Sequence, residues 1–249
     1  MPGAAPLHRQ VLAQARMEAK LLLRNGEQLL LAVVIPVLVL VGGVVAGEHL
    51  TLDLETSQPL VDVLTPGVIA LAVMSTSFTS LAIATGFERR YGVIKRLGSS
   101  PLPRSGLLAG KVLALLVVEL FQIIVIGAVG QLLGWTPEPG VLGVALAVAL
   151  GTAAFASLGL FVSGVLRAEA TLAAANLVYL LLMTGGGVVL PLSAYGSWGE
   201  VVRWLPSGAL GEAMRTGFID GGVAWRDLGV LTLWAVLGTA LTARTFKWE

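Results

Sequence analysis

Apolar runs separated by short polar connections divide the chain. Residues 28–47, 64–87, 107–133, 141–166 and 172–192 each reach the length of about 20 residues that a helix needs to cross a hydrocarbon core. A sixth run, 228–243, is shorter and must borrow flanking residues or tilt little. The pattern predicts an all-α membrane protein with six transmembrane helices. Residues 1–27 follow a different rule. On a helix turning about 100° per residue, Leu7, Val11, Leu12, Ala15, Ala19, Leu22 and Leu23 share one broad face. Arg9, Arg16, Lys20 and Arg24 form a stripe on the other. This predicts an amphipathic helix lying in the inner membrane surface, its cations toward lipid phosphates or a cytosolic partner. The run 28–47 exceeds a signal-peptide core and five more runs follow, so it reads as a retained span.

Composition supports one membrane domain over residues 1–249. Hydrophobic residues make up 56% of the chain and charged ones 12%, with a mean hydropathy of +0.87. A soluble domain carries about twice that charged fraction. The net charge of +1 offers no electrostatic reason to expect a nucleic-acid partner. With no cysteine, disulfides, thiolate metal sites and a cysteine nucleophile are excluded. His8 and His49 flank the first run and are expected at the surface, not at a shared metal. Arg outnumbers Lys twelve to four, and Ala, Gly, Val and Leu abound, as in a GC-rich bacterial genome.

Charge is distributed unevenly. With the N-terminus in the cytoplasm, thirteen of the sixteen Lys and Arg residues fall on cytoplasmic segments, leaving only Arg203, Arg215 and Arg226 outside. The outer loops hold nine acids, from Glu48 to Asp227. Both termini are therefore expected in the cytoplasm of a bacterium, the chain crossing its plasma membrane. Trp135, Trp198, Trp204 and Trp225 would mark the outer interface and Trp248 the inner one.

One connection stands out. "FERRYGVIKRLGSSPLPRSGLLAGK" (87–111) collects six cations and two prolines. Residues 88–97 can form a short helix exposing Arg89, Lys95 and Arg96, which Gly98-Ser99-Ser100-Pro101 would end. Ser105 is placed to cap the next span. Inside-positive topology needs only scattered cations, not a helix-and-turn unit. The loop 88–106 is thus expected to dock into something.

The sequence here resembles the permease subunits of type-2 ABC exporters, which include bacterial drug, polysaccharide and lipid exporters. Arg24-Asn25-Gly26-Glu27 followed by "QLLLAVVIPVLVLVGG", with Pro36 inside it, looks like the family's lead-in to its first span. The basic stretch looks like the coupling segment at Glu88, Gly92, Leu97, Pro101, Gly110 and Lys111, with Arg90 where the family often has a second acid. "LPLSAYGSWGEVVRWLPSGALGEAMRTGF" is similar to the outer segment before the last span, at Pro191, Pro206, Glu212 and Arg215.

The resemblance implies a permease with no ATPase site of its own, driven by a separate ABC ATPase chain that holds ATP and Mg, and paired with a second permease. It implies coupling contacts from Glu88, Arg89, Gly92, Val93, Ile94, Lys95, Arg96, Leu97 and Pro101. It also implies short outer helices, 201–205 and 207–218 around Pro206, that re-enter toward the membrane with Trp204 between them. "GLLAGKV" is not a phosphate loop, since one spacer residue is missing and Val112 stands where Ser or Thr should hold magnesium.

Polar groups inside the spans are the remaining candidates. Glu119, near the centre of the third run, is either a functional carboxylate or a hydrogen-bonder between helices with Gln122. Ser75, Thr76, Thr79 and Ser80 could line a substrate path, or let helices pack closely. Asn176 is expected to bond between helices. A proton-coupled secondary transporter using Glu119 is the alternative; it lacks the internal repeat and paired broken helices that such folds show. A membrane-embedded enzyme would need a cluster of catalytic side chains within the spans, which is absent.

Overall fold

The computed structural model describes residues 6–24, 26–49, 58–97 and 102–245; for 27–31, 48, 49, 94, 97 and 104 it describes the backbone alone. Among the described residues the chain is helical with no strand. Apolar runs in a medium without water leave the backbone no partner but itself, and the helix satisfies it locally. The helices are α1 (Leu7–Arg24), α2 (Gly26–His49), α3 (Leu60–Met74), a π-helical segment (Ser75–Ser80), α4 (Leu81–Arg90), α5 (Val93–Leu97) and α6 (Arg104–Leu132). Then follow α7 (Val141–Val165), α8 (Ala168–Gly185), a 3-10 segment (Leu192–Trp198), α9 (Gly199–Arg203), α10 (Pro206–Ile219) and α11 (Trp225–Thr245).

Among the described residues, five helices are long and apolar enough to cross a membrane: the continuous Leu60–Arg90, Ser105–Leu132 within α6, α7, α8 and α11. In α2 the apolar helix described, Ala32–Gly47, is shorter than that measure. Several boundaries differ from the sequence expectation. The second span begins at Leu60, since Pro59 starts the helix and Asp62 suits its first turn. The fifth ends at Gly185 rather than residue 192, because Gly186 and Gly187 (φ +70°) break it. The sixth extends over Trp225–Thr245, a full spanning length. Pro103, not Ser105, stands at the N-cap of α6, and Ser105 lies in its first turn.

α3 is the centre of the molecule. Val61 through Met74 are all buried except the half-buried Asp62, enclosed by α2, α6, α7 and α10. Met74, Leu71, Phe155, Leu210 and Leu231 fill the core between α3, α7, α10 and α11. Near-continuous burial along α10 follows from its place between α3 and α7. At the other extreme, α8 leaves Leu177, Leu180 and Leu181 exposed, and α2 does so with Val34, Ile35 and Leu38.

α1 lies along the first half of α6. Gly106 meets Val11, Gly110 meets Gln14 and Ala15, and Lys111 meets Glu18, so the two helices advance in the same direction. The approach is close: a Cβ on Gly110 would come within 2.7 Å of Gln14 Cγ. The face α1 buries is therefore a small one, Ala15 and Ala19, while Leu7, Leu12 and Leu23, expected on the same apolar face, are exposed.

Candidate functional site

The basic loop and the helix ends around it form one ion-bridged unit. Lys111 Nζ lies 2.7 Å from Glu88 Oε1 and 3.1 Å from Glu18 Oε1, joining α6, α4 and α1 through largely buried side chains. Gln14 donates to Glu18 from the preceding turn at 2.9 Å. Arg89 donates to the Ser163 carbonyl in the last turn of α7, where a cation meets the negative end of the helix dipole. Arg90 pairs with Glu169 at the start of α8, again favourable to the dipole, and its guanidinium lies 5.9 Å from the Tyr91 ring centre.

These contacts revise the expected docking helix. Residues 88–97 are not one helix: 88–90 finish α4, Tyr91-Gly92 turn, and α5 follows. Gly92 has φ +67°, and a Cβ there would meet nothing within 4 Å. It is required by backbone conformation and not by close approach. Arg89 and Glu88 face inward, while Val93, Lys95 and Arg96 remain exposed on α5. Tyr91, which sequence reasoning passed over, is 65% exposed, with its ring stacked on Phe87. An aromatic residue beside a turn glycine within a basic loop was the available signal. The side chains of Ile94 and Leu97, and all of Pro101, lie outside the described residues.

A cavity of about 200 Å³ begins at the ion cluster. Glu18, Glu88 and Lys111 line it together with Thr76 and Ser80, between walls that include Leu22, Ala84 and Leu115. The hydroxyl-rich part of the second span coincides with the π-helical segment, where one extra residue per turn widens the helix. Its hydroxyls divide. Thr76 donates to Gln122 Oε1 at 2.9 Å, Ser77 bonds back to Val73, and buried Thr79 has no hydrogen-bond partner. Ser75 faces the Tyr179 phenol of α8. Thr76 thus serves both the cavity lining and the contact with α6, while Ser80 lines the cavity and Ser77 and Thr79 are buried in packing.

Gln122 also donates to the Ala32 carbonyl of α2 at 2.8 Å, so it ties α2, α6 and the π-helical segment. Glu119 is not its partner, contrary to expectation. One turn away on α6, the fully buried Glu119 accepts a 2.6 Å hydrogen bond from Thr152 of α7, and its other oxygen has no partner. Spacing of three places Glu119 and Gln122 on one face, yet each reaches a different neighbouring helix. Asn176 does not bond between helices either; it is exposed and donates to Leu172 of its own helix at 2.9 Å.

At the opposite end, α10 carries a buried clamp. Arg215 donates to the Val188 and Val189 carbonyls at 3.0 and 2.7 Å and to Glu212 Oε1 at 2.7 Å. Glu212 in turn accepts from the Leu192 backbone N–H at 3.2 Å. Burial pushes the Arg215 pKa down and Glu212 opposes it. The clamp holds residues 188–191, which follow α8 without helical structure, and the first residue of the 3-10 segment against α10. Pro191 starts the 3-10 segment, Pro206 occupies the first turn of α10, and the Trp204 carbonyl accepts from Trp234 of α11 at 2.9 Å. Arg203 contacts Asp227 at 3.1 Å and Arg226 contacts Glu200 at 2.6 Å, closing the same end.

Arg9, Arg16, Lys20 and Arg24 all lie exposed on the outward face of α1, and its one acid, Glu18, is turned inward to Lys111. The described geometry is that of a helical membrane component with a basic, ion-bridged end and a clamped opposite end. Comparison with known proteins agrees. The family model described as ABC-2 type transporter matches residues 7–219, from the first residue of α1 to the last of α10. The chain is also 25% identical to YvfS of Bacillus subtilis (strain 168), which carries the name of a transport permease, over 170 residues. That match covers 67% of this chain and 69% of the relative. With both the ion-bridged end and the clamp at the opposite end inside the matched span, the chain belongs to the ABC-2 type transporter family.

Proposed function

We propose that this chain is the transmembrane permease subunit of a bacterial ABC exporter, moving a drug, lipid or polysaccharide-type substrate with ATP hydrolysed by a separate subunit. The observation that carries the reading is the surface formed by Tyr91 and α5. It is apolar and cationic at once, exposing Tyr91, Val93, Lys95 and Arg96. Its base is held through Glu88 to Lys111, Arg89 to Ser163 and Arg90 to Glu169, so four helices meet directly beneath it. A push on α5 is delivered to α4, α6, α7 and α8 rather than absorbed by a slack loop. An ATPase groove that accepts an aromatic anchor, with acids at its edge, fits this surface.

The remaining parts follow from the same reading. The chain has six spans with α2 counted among them, both termini cytoplasmic, and a second permease covering the apolar faces of α2 and α8. The cavity reached from the ion cluster, with Thr76 and Ser80 in its lining, adjoins the substrate path. Glu119 is not in that lining.

The test is co-expression with a candidate ABC ATPase subunit. Tyr91→Ser and Val93→Asp alter exposed side chains and leave the Lys and Arg count untouched. Each is expected to insert normally while losing at least tenfold in ATPase retention or substrate-stimulated ATP turnover. Parental transport in both variants would overturn the docking assignment.

A further inference from the structure

Between α1 and α6 runs an open groove of about 620 Å³, distinct from the cavity at the ion cluster. Its floor is apolar: Leu12 and Leu23 from α1, Leu113 and Val117 from α6. Its rim is cationic, with Arg16, Lys20 and Arg24 following one another at four-residue intervals, one row along the helix. None of these three cations enters an ion pair among the described residues, and the row faces no acid of its own helix, since Glu18 is engaged by Lys111. The floor also continues past the groove. Leu120 and Ile124 extend the line of Leu113 and Val117 up α6, all four substantially exposed.

We propose that this groove binds one anionic phospholipid of the inner leaflet. The headgroup phosphate sits at Arg16 and Lys20, and an acyl chain lies over Leu23, Leu113 and Val117 toward Ile124. Two features select a lipid over other anions. A cationic row answers a phosphate, and the apolar floor leading away from it answers a chain joined to that phosphate. The volume is within the range of ordinary small-molecule sites. The inference rests on the chain's place as a membrane transporter component and not on the α5 docking surface.

The experiment uses the purified full-length chain in phosphatidylcholine nanodiscs without any ATPase, so failure of the docking assignment leaves it unaffected. Spin-labelled phosphatidylglycerol and spin-labelled phosphatidylcholine are the probes, and the motionally restricted fraction is read. A saturable site of about one phosphatidylglycerol per chain is expected. Glycerophosphoglycerol, the same headgroup without chains, should not displace it. The double variant Arg16→Gln with Lys20→Gln changes only exposed side chains. It should keep its fold by circular dichroism and lower the preference for phosphatidylglycerol by roughly 25-fold, about fivefold per cation. Equal restriction of the two lipids, or an unchanged preference in the double variant, overturns the proposal. So does a double variant that retains the lipid but loses the ATPase on co-expression, which would assign the row to a protein partner.

Discussion

A single fully buried carboxylate shows how little a residue's position along a span says about its role. Glu119 has one hydrogen-bond donor, Thr152, and one oxygen without a partner. Glu119→Gln retains a carbonyl oxygen for Thr152, so folded yield and thermal unfolding in detergent should stay close to the parent. Glu119→Leu strands the Thr152 hydroxyl and should destabilise by about 1 kcal/mol, the scale of a hydrogen bond between membrane helices. Equal stability of the two variants would show that the Thr152 bond contributes nothing. That Glu119 lies within a span was legible from a charge in an apolar run. Its partner was not, because Thr152 is 33 residues away and comes into reach only when α6 packs on α7.

Among the elements, the meeting of α1, α4 and α6 at Lys111 carries the most consequence. Two glutamates on different helices share one ammonium, with side chains 11% to 22% exposed. Lys111→Met would leave Glu18 and Glu88 facing each other without a counter-charge. The expected cost is on the order of 2 kcal/mol, between that of an exposed pair and that of a buried one. The loss should appear as faster hydrogen exchange and earlier proteolysis within α1, with the spans unaffected. Adding Glu18→Gln and Glu88→Gln should recover much of it. Unchanged exchange in α1 after Lys111→Met would mean that the small-residue contact at Gly110 holds the helix by itself.

The whole molecule sorts its polar ends. Connections carrying Arg89, Arg90, Lys111 and Glu169 meet at one end, and those carrying Glu200, Arg203, Arg226 and Asp227 at the other. Six spans require α2 to cross, which places residues 57 and 99 on opposite sides of the membrane. Cysteines introduced singly at Ser57 and Ser99, in a chain with none of its own, should react with an impermeant maleimide from opposite faces. Labelling of both from one face would remove a span from the count.

What the sequence by itself determined was everything that depends on neighbours along the chain. Four long apolar helices, the cationic stripe on α1 and the break at Pro206 before α10 follow from hydrophobic period, charge and backbone preference. The tertiary structure decided which groups are spent within the molecule. Arg89 looked free to meet a partner, yet it closes the end of α7. Arg215, one of three cations expected outside, is the buried anchor of the segment after α8. Leu12 and Leu23 share an apolar face with Ala15 and Ala19 by period, yet they line an outward groove, because only the smaller Ala15 and Ala19 let α1 approach α6. Periodicity marks a helix face, but the size and charge of the side chains on the opposing helix select which part of that face is buried.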